Sequence, residues 1–166
     1  MSSTQVGAGM KRHCRPGQAT TERPMIDSKT APYAALLLRV SLGVMFVAHS
    51  LYLKLMVFTL PGTAKFFASL GLPETAAYAV FGAEAIGGIA LIVGFKTRLV
   101  SAALVPVLLG ATWAHAGNGW LFTAEGGGWE YPLFLTIAAV VQSLLGDGAY
   151  AVSSVVGRQP AAEAAR

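Results

Sequence analysis

The chain is poor in the residues that keep a soluble protein in water. Only 12% of its 166 residues are charged, about half the share of an average soluble domain. Hydrophobic residues make up 54%, and the mean hydropathy is +0.57. A soluble domain of this length would lack the polar side chains to coat itself, so the composition is that of an integral membrane protein. Cysteine is nearly absent. Cys14 stands alone, which excludes an intramolecular disulfide and any metal site built on several cysteines. No apolar run precedes it, so nothing indicates a lipoprotein signal, and the first thirty residues lack the apolar h-region of a cleavable signal peptide. They carry Lys11, Arg12, Arg15, Arg23 and Lys29, and residues 1–32 read as a disordered basic cytoplasmic tail. Met1, Met10 and Met25 are all candidate starts. Acidic residues are also scarce, eight against twelve Lys and Arg. That basic surplus sits in short segments between apolar runs, which speaks for membrane topology and against nucleic acid as a partner.

Four apolar runs are present, against the roughly 20 residues a helix needs to cross a bilayer. They cover about 33–53, 75–94, 99–117 and 129–146. The fourth is short, but Trp129 and Tyr131 bound it on one side and "GDG" on the other, as an interfacial span end should be. The connection "KLMVFTLPGTAKFFASLGLP" breaks at Pro61 and Gly62 and contains an amphipathic "AKFFASL" suited to the membrane interface. "FKTR" is a tight basic turn, and "NGWLFTAEGGGW" holds three consecutive glycines that deny it regular structure. Lys and Arg concentrate in the N-terminal tail, at Lys96 and Arg98, and at Arg158 and Arg166. The opposite side has only Lys54 and Lys65. The expected fold is therefore all-α: an integral membrane antiparallel four-helix bundle over 33–148, with N and C termini cytoplasmic and a loose tail over 149–166. Ala79, Ala83 and Gly87 recur at four-residue spacing beside Gly88, a pattern that lets helices approach closely in lipid. Pro106, inside the third run, is expected to kink it.

Charged groups inside spans are costly and usually have partners. At about 1.5 Å per helical residue, Arg39 lies roughly 9 Å and Glu84 roughly 15 Å from the cytoplasmic end. A structural ion pair between Arg39 and Glu84 is the expectation. The same count puts His49 and His115 near the outer face, with Glu130 at that level and Lys54 one turn beyond His49. This outer cluster of His49, Lys54, His115, Trp129 and Glu130 suits a quinone head, which needs donors to its carbonyls, a proton acceptor and an apolar slot. His titrates near neutral pH and is fit for that proton transfer. The catalytic candidates are His49, His115 and Glu130. The tryptophans Trp113, Trp120 and Trp129 read as interfacial anchors ahead of stacking partners, and the histidines also fit as interfacial residues. No local His spacing supports a metal site, and nucleophilic triads and phosphate-cradling glycine loops are absent.

"LLLRVSLGVMFVAHSLYLK", "LGLP", "FGAEAIGGIALIVGFKTRLVSAAL" and "GGGWEYPLF", in this order, resemble the DoxX family of small four-helix membrane proteins over roughly 36–148. The resemblance implies a membrane redox accessory role linked to quinone, in a bacterial inner membrane. The implied partners are the lipid bilayer, other membrane or peripheral redox subunits, and further copies of the chain. Arg39, His49, Lys54, Glu84, Thr97, Arg98 and Glu130 occupy recurrent polar positions of the family. Its usual "HG-x-x-K" stands here as "HSLYLK", without the glycine and with one extra residue before Lys54. Three functions stay open: a quinone/quinol-interacting accessory subunit without its own redox centre, a non-catalytic scaffold or assembly subunit, and a small transporter or proton path.

Overall fold

In lipid, helices associate by close van der Waals packing, because the tails are as apolar as the side chains. The point of closest packing therefore sets the register of the whole chain. A computed structural model describes residues 27–156; Cys14, the candidate starts, Arg158 and Arg166 lie outside them. Among the described residues the secondary structure is helical throughout, with no strand. α1 (Ala31–Val47) starts with Pro32 in its first turn, where the missing N–H costs nothing. It runs without a break into a π-helical segment, Ala48–Val57. Thr59, at a φ of 61°, then turns the chain, and its hydroxyl accepts a hydrogen bond from the Gly62 N–H. α2 (Leu60–Ser69) follows, then α3 (Glu74–Val93), α4 (Thr97–His115), α5 (Glu130–Leu145) and the five-residue α6 (Val152–Val156). Three helical stretches are long and apolar enough to cross a membrane: Ala31–Val57, Glu74–Val93 and Thr97–Asn118. α5, with 16 residues, is apolar but shorter.

α1 and α3 meet where both lack a side chain. A Cβ on Gly43 would lie 2.7 Å from the Gly88 carbonyl oxygen, and one on Gly88 would lie 2.9 Å from that of Gly43. α4 packs along α5 and also touches α3, while α1 reaches α5. Leu42, Phe46, Leu91, Leu104, Leu108, Ala138 and Ala139 fill the space between them. The small-residue stripe read from the sequence is only half right. Gly87 and Gly88 are buried, but Ala79 and Ala83 face outward. The inner line of α3 instead runs Ala77, Glu84, Gly87, Gly88, Leu91. α4 continues through Pro106, which is exposed.

The stretch after Gly148, expected to be loose, is held down as far as Ser153. The Ala149 N–H donates to the Pro32 carbonyl at 2.9 Å. Both the N–H and the hydroxyl of Ser153 donate to the Gly94 carbonyl, and the Lys96 N–H donates to the Ser153 hydroxyl at 2.8 Å. Ala151 is fully buried. Polar backbone atoms at the start of α1 and at the α3–α4 turn need partners, and this segment supplies them.

If Gly43 and Gly88 set the helix approach, Gly88→Val overpacks it at a cost of about 1–3 kcal/mol. The detergent-solubilised variant should melt at a clearly lower temperature. A Cβ at Gly82 meets nothing within 4 Å, so Gly82→Ala should melt at or above the native temperature. Equal melting of Gly88→Val and the native chain would remove the crossing from this account.

Candidate functional site

Glu84 is 6% exposed, on the inner line of α3. A bare carboxylate there would be costly, and its partner is Lys54, from the π-helical segment. The Lys54 ammonium donates to Glu84 Oε2 in the one ion pair found among the described residues. The lysine side chain is 17% exposed and that of the glutamate 8%. α2 packs against both α3 and the π-helical segment, with Thr63 and Ala64 turned inward.

The expected Arg39–Glu84 pair does not form. Arg39 is 1% exposed, and its guanidinium lies against Gly94, where any Cβ would collide with it. Gly94 is ten residues from Glu84, about 15 Å of helix rather than the 6 Å gap counted from the sequence. Arg39 Nη2 donates to the Ala149 carbonyl at 3.2 Å, and Asp147 supplies a neighbouring counter-charge. The long side chain has turned toward the helix ends, as arginines in membranes do. Its role is to hold the chain after α5. Thr97 belongs to the same end: its N–H donates to Asp147 Oδ1 at 2.9 Å. Arg98 is exposed beside Gly146.

The outer cluster separates into three local arrangements. His49 Nδ1 lies 2.8 Å from the Met45 carbonyl oxygen. A carbonyl only accepts, so Nδ1 carries the proton and the neutral ring keeps its lone pair on Nε2. The His49 ring stacks on Tyr131 with centroids 6.2 Å apart, and the Tyr131 hydroxyl donates to Met45 Sδ at 3.4 Å. His115 instead serves the loop after α4. Its Nδ1 donates toward the Gly126 and Gly127 carbonyls at 3.0 and 3.1 Å, and Asn118 donates to the same pair. Gly126 and Gly127 both have a φ of 79°, a conformation that favours glycine. Glu130 closes the other side of this loop by accepting from the Phe122 N–H at 2.8 Å. Trp129 packs edge-on against Trp120, with centroids 4.5 Å apart. Among the described residues, no group of three or more His, Cys, Asp or Glu is placed to hold a metal ion. Lys54 has left the outer set for Glu84, and Tyr131 has joined His49.

Beside Tyr131 an open groove of about 400 Å³ runs between Trp120, Phe122, Glu130, Phe134 and Ile137. Phe122, Phe134 and Ile137 are all more than half exposed, so the groove opens on an apolar outer surface. It reaches the ring on which His49 stacks.

Sequence reasoning missed Tyr131 and Ser50. In the sequence Tyr131 has the look of a span-end aromatic; in the structure it stacks on His49. Ser50 is fully buried, and its hydroxyl donates to the carbonyls of Phe46 and Val47 at 2.9 and 3.2 Å. No pattern in the sequence marks it.

Breaking a buried pair from one side leaves the other charge stranded, which costs about 3–5 kcal/mol in comparable cases. Glu84→Gln should therefore lower thermal stability in detergent more than the double variant Lys54→Met/Glu84→Gln. Additive losses would mean that the two side chains do not interact.

A protein-family model described as DoxX matches residues 34–117, half of the chain. A protein of Bacillus subtilis (strain 168) named "Putative oxidoreductase CatD" is 37% identical over 84 residues. The match covers 51% of this chain and 60% of the relative, so the chain spans less than two thirds of that protein's length. No solved structure matches. With three helices able to cross a bilayer and the family model covering the two helices that carry Lys54 and Glu84, this is a membrane protein, and the chain belongs to the DoxX family.

Proposed function

We propose that this protein is a quinone/quinol-interacting accessory subunit of a membrane redox complex, with its site at Lys54, Glu84, His49 and Tyr131. The observation that carries the proposal is the ion pair between the buried Glu84 and the partly buried Lys54. Ionisable residues inside a membrane domain are rare and mark sites of proton or ligand handling. The apolar groove beside Tyr131 offers a quinone ring and its tail a way in from the bilayer. A quinol oxidised by a partner's redox centre passes two electrons to that centre and releases two protons. His49 Nε2 and the Glu84 carboxylate are the acceptors at hand, with Lys54 balancing the charge on Glu84. This chain supplies no electron carrier of its own in the proposal. The oxidoreductase name of the Bacillus relative supports the redox part of the reading. His115, Trp129 and Glu130, first grouped with this site, shape the loop that borders the groove.

The proposed setting is a bacterial inner membrane, crossed four times by an antiparallel bundle in which α5 is the fourth span. Both termini are cytoplasmic in this reading. Its support is that the start of α1, the Lys96–Arg98 turn and the end of α5 lie together, so the basic segments share one side.

Mild-detergent purification from native membranes should yield protein with bound quinone. A short-chain quinone analogue should quench its tryptophan fluorescence, and Glu84→Gln or Lys54→Met should weaken that binding at least tenfold, about 1.4 kcal/mol. In the same membranes, an alkaline phosphatase fused to the C-terminus should stay inactive and a fluorescent protein should be bright. Absence of both bound quinone and quenching would defeat the quinone reading and leave the scaffold role. An active phosphatase fusion would overturn the topology.

A further inference from the structure

The buried face of α1 runs Ala35, Arg39, Leu42, Phe46, the spacing of an ordinary helix with 3.6 residues per turn. At about 100° per residue, an α-helical continuation would bring Leu53 back within about 20° of Phe46 and leave Lys54 about 80° away. Lys54 nevertheless pairs with Glu84. The difference lies in Ala48–Val57, which is π-helical. Its turns close one residue later than α-helical turns, as in the bond from the Phe58 N–H to the Leu53 carbonyl at 2.8 Å. Ser50 still follows Phe46 at α-helical spacing, and the next inward position is delayed from Leu53 to Lys54. Where the helix widens, side chains hold its carbonyls: Ser50 Oγ donates to Phe46 and Val47, and His49 Nδ1 to Met45. Such back-bonding perturbs the regular ladder.

We infer that the π-helical segment Ala48–Val57 is the device that aims Lys54 at Glu84, and that Ser50 is the positioning residue that fixes where the widening begins. The geometry stands independently of what the site binds; its link to quinone rests on the function proposed above. An unusual consequence follows. Removing one residue from the exposed side of the segment restores an α-helix and moves the lysine to the position where an α-helix faces inward. Shifting the lysine back by one position without shortening the chain turns it away.

The test measures the coupling between lysine and Glu84 by a thermal-stability double-variant cycle (Lys54→Met, Glu84→Gln) on the full-length protein in detergent. Four backgrounds are compared with the native one. The cycle reports this pair alone, which general loosening of the fold would not remove selectively. Deletion of Leu51 should leave the protein folded and at least half of the native coupling in place. In the transposed chain, Leu53→Lys with Lys54→Leu, the lysine at 53 should show no coupling to Glu84. Ser50→Ala should lose at least half of the coupling, and Ser50→Thr, which keeps the hydroxyl, should retain it. Loss of the fold or of the coupling on deletion, native coupling in the transposed chain, or native coupling in Ser50→Ala would overturn the inference. Loss of quinone binding with the coupling pattern as expected would defeat the proposed function and leave this one standing.

Discussion

Lys54 and Glu84 can lie inside an apolar helical protein only because each meets the other, and much of the surrounding structure serves that meeting. A charge alone at this depth costs a few kcal/mol, and a pair repays its burial only when its geometry is held. Three features hold it. The glycine contact at Gly43 and Gly88 fixes how α1 slides along α3. The π-helical segment rotates Lys54 inward. α2 lies against both partners' elements.

The two ends of the protein divide the remaining polar work. At the basic end, Arg39, Asp147, Gly94 and Ser153 bind the chain after α5 to the starts of α1 and α4. At the other end His115 and Glu130 each satisfy backbone groups of a glycine-rich loop. These side chains answer the demand that buried or ordered backbone groups be paired. His49, with its Nε2 beside Tyr131, and the Lys54–Glu84 pair are not engaged in this backbone work.

The long apolar runs were legible because bilayer thickness imposes a length that a sequence displays directly. The all-helical class, the "FKTR" turn and the glycine approach on α3 were readable for similar local reasons, whereas the break expected at Pro61 and Gly62 falls at Phe58 and Thr59, with both residues in the first turn of α2. The partner of Glu84 was not readable. Depth counting assumes one uniform rise and a known starting level for each helix, and on that basis it sets Arg39 beside Glu84. The true register depends on a contact between residues distant in sequence, Gly43 and Gly88, and on a local widening with no compositional mark. The outer histidines were placed at the right end of the molecule, but depth alone could not separate a ring facing α5 from one serving a loop.

Glu84 is paired with Lys54 and not with Arg39. Solid-state NMR on the protein in lipid bilayers addresses it directly, through the dipolar coupling between the labelled Glu84 side-chain carboxyl carbon and lysine or arginine side-chain nitrogens. The account predicts a contact of about 4 Å or less to one lysine ammonium, the range of an ion pair, which disappears in Lys54→Met. Coupling to the Arg39 guanidinium, or a Glu84 carboxyl with no nitrogen in range, would contradict it.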